Sequence, residues 1–294
     1  MSPNQRGSLF MMGSMASFTF NDALVKMIGA DMPLAQLLTL RGAIACVLIY
    51  GLARCMGTMR WDLGCRDWTL IGLRSLSELA IAYFFLTALM VMPLANITAI
   101  LQVLPLTVTL GAALFFHEPI GWRRMLAILV GFSGVLLIIR PGPEGFSEGT
   151  SFALAAVLCV TARDLISRRI SPETPSIVVA LSAMVAVFAS AAVLSLGVEW
   201  APIEMSGLSL LTGAAVFIFA GFIFSVMAMR AGEIAVISPF RYSGLLWALL
   251  LGWLLFGDWP DPVTMLGALI VVATGMFTLY REGASAAAAK RART

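Results

Sequence analysis

The feature that most constrains this chain is a pattern of apolar segments that is stated twice. Gly7, Thr19, Asp22, Lys26, Ile28 and Pro33 recur 142 residues later as Gly149, Thr161, Asp164, Arg168, Ile170 and Pro175. Ala88, Ala95, Phe116 and Glu118 recur 140 residues later as Ala228, Ala235, Phe256 and Asp258. The apolar segments fall near 8–28, 34–53, 68–90, 93–115 and 122–140, then 150–170, 175–197, 208–229, 233–256 and 262–281. Each is long enough to cross a hydrocarbon layer of ~30 Å. The expected fold is an all-α membrane protein of ten transmembrane helices. Its two five-helix repeats cover 8–140 and 149–281, and 283–294 is expected to be a disordered basic tail. An odd number of crossings per repeat turns the second copy upside down, the arrangement found in alternating-access carriers.

Composition agrees. The 294 residues are 60% hydrophobic and only 12% charged, whereas soluble domains carry about 25% charged residues. Little chain remains for a domain outside the bilayer. Basic residues cluster in alternate loops: Arg54 and Arg66, Arg123 and Arg124, Arg168 and Arg169, then Arg281 and Lys290. The intervening loops hold Lys26 and Arg140. The positive-inside rule then puts both termini in the cytoplasm, in a bacterial cell inner membrane. Charges scattered over short loops do not make a nucleic-acid surface. Arg6 precedes the first apolar run as in a secretory signal, but Asn21, Asp22 and Lys26 interrupt that run, so it reads as a retained helix. Gly131, Gly134, Gly267 and Gly275 mark the last helix of each half as a close-packing surface, against neighbours or in a homodimer.

Ionisable groups within a bilayer are expensive and face a partner or a cavity. Arg74 and Glu78 are four residues apart on one helix face, so they form an ion pair, line a cavity, or do both. In a cavity Arg74 would grip an anionic or carbonyl group, and Glu78 would exchange a proton or bind an amine. Asp22 and Asp164 are repeat mates. Either each pairs with the basic residue at i+4, Lys26 and Arg168, or the two close opposite ends of a path as gating residues. Arg41 has no acidic neighbour at helical spacing, joins them as a gating candidate, and can reach across to Asp22 or Glu78. Arg241, beside Tyr242 and three residues after Ser238, follows Pro239, which frees backbone carbonyls. That combination reads as a substrate clamp. Thr98, Gln102, Pro105 and Thr109 recur at helical spacing after Asn96 and either bind substrate or glue helices together. Phe18, Tyr83 and Tyr242 offer stacking surface.

No catalytic constellation stands against a carrier. His117 is the one histidine, and Cys46, Cys55, Cys65 and Cys159 have no metal-type spacing, so neither a metal nor another cofactor is expected. HExxH and the GxxxxGK[ST] phosphate loop are missing from the sequence.

Three runs carry a resemblance: Met92-Pro93-Leu94-Ala95-Asn96 through Leu104-Pro105; Phe115-Phe116-His117-Glu118-Pro119; and Gly131 through Arg140-Pro141. With a second copy from Ala235 through Phe256-Gly257-Asp258 to Arg281, they are similar to the EamA repeat of the drug/metabolite transporter superfamily. The resemblance implies a cavity walled by spans 1, 3, 4, 6, 8 and 9. Glu78, Asn96, Gln102, Asp164, Arg241 and Tyr242 then fall on cavity helices and Arg41 does not. It also implies a secondary carrier of a small organic metabolite, with riboflavin or an amino-acid-like compound as cargo, or an exporter of the same fold; carboxylates in a low-dielectric cavity would suit protons as the coupling ion. Four intramembrane arginines (Arg41, Arg74, Arg163, Arg241) against three acids favour a neutral, zwitterionic or weakly anionic cargo. The rival classes are a channel and an intramembrane enzyme.

Overall fold

The computed structural model describes residues 1–29, 31–56, 62–117, 121–140, 147–231 and 234–291. Glu118, Pro119 and Pro141, named above, lie outside them. The described chain is helical, with no strand among those residues. Helix α1 (Pro3–Ile28) starts five residues before the apolar run because polar residues cap it. Ser2 Oγ accepts from the Gln5 amide, Gln5 Oε1 accepts from the Ser2 amide, and Pro3 occupies the first turn. Helices α2 (Leu34–Met56), α3 (Cys65–Val91), α6 (Trp122–Ile139), α7 (Glu148–Ser167), α8 (Ser176–Ser195) and α9 (Met205–Ala231) follow the hydropathy pattern.

The fourth and ninth spans are broken. Pro105 has no amide hydrogen and crowds the preceding turn, so α4 (Leu94–Leu101) stops and α5 (Leu104–Phe116) restarts after Gln102 and Val103. Around Pro239, α10 (Ile234–Ile237) tightens into a 3-10 turn at Ser238–Tyr242 before α11 (Ser243–Phe256). The two breaks touch: Gln102 Nε2 donates to the Tyr242 carbonyl at 3.4 Å. Helices α5 and α11 both stop on left-handed residues, His117 (φ 56°) and Gly257 (φ 70°), a conformation that costs glycine nothing. Helix α12 (Pro262–Arg291) continues past the span end at 281, so helical backbone replaces the expected disorder as far as Arg291. Alanine-rich sequence after a nucleated helix propagates readily.

Among the described residues, nine spans are long and apolar enough to cross a membrane, counting α4 with α5 and the 3-10 turn with α11 as one each. The 26-residue α1 is equally long but carries Asn21, Asp22 and Lys26. The chain is a multi-pass membrane protein. Helix α1 packs on α9, α3 on α7, α2 on α8 and α6 on α12, with α4 against α11 between them. Fully buried Leu37, Leu89, Ile97, Ile100 and Leu106 fill the centre. Helices α6 and α12 meet backbone to backbone. A Cβ on Gly267 would lie 2.5 Å from the Gly134 carbonyl oxygen, and one on Gly134 would lie 2.9 Å from that of Gly267.

At the foot of this pair, Asp261 caps α12 by accepting from the Thr264 hydroxyl at 2.8 Å and the Val263 amide at 3.0 Å, and it pairs with Arg140. The Thr264 hydroxyl, with help from Arg140, holds the Asp261 carboxyl down at about 2.

Candidate functional site

A cavity of about 420 Å³ opens between α1, α2, α3, α7, α8, α9 and the 3-10 turn. Its charged wall is built from Asp22, Arg41, Arg74, Glu78, Arg163, Asp164 and Arg241. Seven of the residues singled out from the sequence therefore come together: Arg74, Glu78, Asp22, Asp164, Arg41, Arg241 and Phe18. The expected roster of walls needs correction. Spans 2 and 7 contribute Arg41 and Met184, whereas α4 and α5 contribute nothing to the lining.

The wall has two charge-balanced groups. In the larger, Glu78 Oε1 lies 3.2 Å from Arg74 Nη2 and 3.3 Å from Arg163 Nη1, and Arg163 Nη2 lies 2.8 Å from Asp164 Oδ1. Arg74 Nε also donates to Ser167 Oγ at 3.0 Å, which leaves its buried Nη1 without a partner among the described residues. The i,i+4 pair expected from the sequence is present, extended by a second arginine from α7. In the smaller group, buried Asn21 bridges two helices. Its amide donates to Asp22 Oδ1 at 2.9 Å, and its carbonyl accepts from Arg41 Nη1 at 3.1 Å. Buried Arg41 thus faces Asp22 through one neutral side chain. Arg241 belongs to neither group. It projects exposed from the 3-10 turn, in no ion pair among the described residues.

Asp22 does not take the lysine at i+4. Lys26 instead donates to the Leu89 carbonyl at 2.9 Å and to that of Met92, and its ammonium lies 5.5 Å from the Phe256 ring centroid. Asp164 takes its neighbour Arg163, whose long side chain curls back along the helix. At the other end of the bundle Arg169 lies over Phe116 at 4.4 Å.

Other residues named from the sequence lie off the cavity wall. Tyr83 is 53% exposed and packs its ring edge-on against Phe84 and Phe152. Five residues on from Glu78, it is rotated about 140° around α3, to the opposite face. Tyr242 is buried on the side of α12, where Gly275 leaves room for its ring. Ser238, Asn96 and Gln102 do not line the cavity either. On the polar stripe of the fourth span, Thr98 and Thr109 donate to the carbonyls of Leu94 and Pro105 in their own helices, while Gln102 reaches across to the Tyr242 carbonyl. Arg163, Asn21, Met184 and Phe222 line the site without having been singled out for it. Adjacency of Arg163 to Asp164 was a visible signal, but residues i and i+1 do not normally face one another on a helix.

A polar, charge-lined chamber inside a multi-pass helical bundle is transporter architecture. Residues 5–140 match the EamA-like transporter family, and the chain is similar to EamA-type proteins of the drug/metabolite transporter superfamily. It is 27% identical over 276 residues to the pseudopaline exporter CntI of Pseudomonas aeruginosa (strain UCBPP-PA14), covering 89% of this chain and 92% of that one. It is 26% identical over 200 residues to the S-adenosylmethionine uptake transporter of Rickettsia conorii, covering 66% of each. To the riboflavin transporter of Rhizobium johnstonii it is 27% identical over 212 residues, 67% of this chain and 66% of that one. A solved crystal structure 17% identical superposes with a TM-score of 0.63 over 92% of this chain and 94% of the other, a likeness of fold.

Proposed function

We propose that this transporter is a secondary carrier of a small organic metabolite bearing a carboxylate, held at Arg241 in the cavity. The observation that carries the reading is charge matching. Arg74 and Arg163 are balanced by Glu78 and Asp164, Arg41 faces Asp22, and Arg241 has no carboxylate beside it among the described residues. An unmatched guanidinium on a cavity wall is completed by a carboxylate, which it binds with two parallel hydrogen bonds. A cationic cargo would meet a wall with no free acid outside the Asp22–Asn21–Arg41 set.

Alternating access is the proposed mechanism, with the halves as inverted repeats. It is supported by pairings that survive exchange of the halves: α1 on α9 answers α3 on α7, while α2 with α8 and α6 with α12 map onto themselves. The touching breaks at Gln102 and Tyr242, 140 residues apart, agree with it. The basic loops support cytoplasmic termini in a bacterial inner membrane. Protons are the proposed coupling ion, through Asp22, the wall carboxylate in no ion pair among the described residues. Export and uptake both occur among the named relatives, so direction is left to the assay.

Counterflow in proteoliposomes tests the reading. Vesicles loaded with a carboxylate-bearing metabolite should accumulate its labelled form, and Arg241→Gln should lower the apparent affinity about 10-fold or more, the loss of one charge-assisted pair. Asp22→Asn should leave counterflow intact while abolishing accumulation driven by a pH gradient. Arg241→Gln with unchanged affinity for every acid would remove the carboxylate from the reading.

A further inference from the structure

A second cavity, of about 300 Å³, lies between the end of α2, the start of α8 and the second half of α9. Its wall includes Ile49, Leu52, Ile177, Phe219, Ile223 and Met227 and holds no charged side chain. Two residues, Ala180 and Phe222, belong to the walls of both cavities. Ala180 presents only a methyl group. Phe222 is the larger of the two, its ring held edge-on to Phe18 at 5.5 Å between centroids.

We infer that the two cavities are the two halves of a single cargo site, and that the cargo is an amphipathic acid. Its carboxylate sits in the charged chamber at Arg241, and its apolar arm passes Phe222 into the side chamber. This rests on the proposed carboxylate reading and adds the arm to it. The side chamber has room for roughly ten non-hydrogen atoms, at the ~30 Å³ that a water molecule occupies in the liquid. An arm of that size gains from leaving water. Within the charged chamber the same arm would lie against three carboxylates and four guanidiniums and would strip their hydration. The side chamber removes that conflict, so it selects for molecules with one charged end and one apolar end. Small hydrophilic acids bind only the first half.

The test is a homologous series, N-acylglycines with acyl chains of two to eight carbons, titrated calorimetrically against the purified detergent-solubilised transporter. In the parent protein affinity should rise up to about fourfold per added methylene. Ile223→Trp and Leu52→Trp fill the side chamber from two different helices, and the rise should flatten in whichever of them folds. A flat series in the parent, or a rise that persists in both variants, overturns the inference. A phospholipid retained in the side chamber, seen by native mass spectrometry and undisturbed by the longest acid, overturns it as well. The carboxylate reading fails differently: Arg241→Gln would then leave every affinity unchanged, while the chain-length dependence and its loss in Ile223→Trp would remain.

Discussion

Removing the Glu78 carboxylate is the sharpest perturbation of the charged wall. Glu78 Oε1 serves both Arg74 and Arg163, at 3.2 and 3.3 Å, and the three side chains are 20%, 16% and 23% exposed. Glu78→Gln keeps the shape but turns a balanced group of four into one with a surplus positive charge. Breaking a fully buried pair from one side costs 3–5 kcal/mol. A fifth of each side chain is open to water, and screening lowers the figure, so about 2–3 kcal/mol is expected. Reversible SDS unfolding in mixed micelles measures it. Arg74→Gln combined with Glu78→Gln restores the balance, leaving Arg163 with Asp164 at 2.8 Å. The double variant should therefore lose less than the sum of its singles, by about 1–2 kcal/mol of coupling. Asp164→Asn should cost less than Glu78→Gln, since Arg163 keeps Glu78. A Glu78→Gln protein as stable as its parent, or strictly additive singles, would refute the network.

Three further outcomes follow from the packing. Gly267→Ala should destabilise by about 1–3 kcal/mol, because the added methyl meets the Gly134 carbonyl at 2.5 Å and backbone cannot step aside; Gly51→Ala on the open face of α2, with nothing within 4 Å, should stabilise by up to about 1 kcal/mol, and thermal melts compare the two. Lys26→Met should cost about 2 kcal/mol by releasing the carbonyls at the end of α3, and hydrogen exchange should rise first at Leu89–Met92. Asp261 has a folded value of about 2, below the ~3.9 of an unfolded aspartate, so its contribution is present above about pH 4 and lost as pH falls through 2. Asp261→Ala should accordingly melt earlier than the parent at neutral pH, and the gap should close in acid.

Much of the fold was readable because a bilayer leaves few choices: length and apolarity set the spans. The breaks were half visible. Pro239 announced the ninth-span break, whereas Pro105 lay inside what looked like a regular polar stripe, and its neighbouring threonines bond to their own helix. Within the site, Arg74 with Glu78 was legible because i,i+4 spacing fixes a shared face. The Arg163 contact was not, because it joins α3 to α7 and depends on the reach of a guanidinium. Tyr83 failed for the complementary reason: nearness in sequence to Glu78 says nothing without the rotation angle. Lys26 shows a third limit, since a lysine near a helix end can choose backbone carbonyls on another helix over an aspartate on its own.

The glycine seam between α6 and α12 has a consequence for assembly. Gly131 accommodates Leu106, Gly134 and Gly267 face each other, and Gly275 accommodates Tyr242, so these four glycine notches are filled from within the same polypeptide. A homodimer cannot use these four glycines, and beside them it would meet bulky exposed side chains such as Leu129, Leu136, Leu266 and Leu269. Without interdigitating backbones, such pairing should be shallow, and should dissolve as the protein is diluted with lipid.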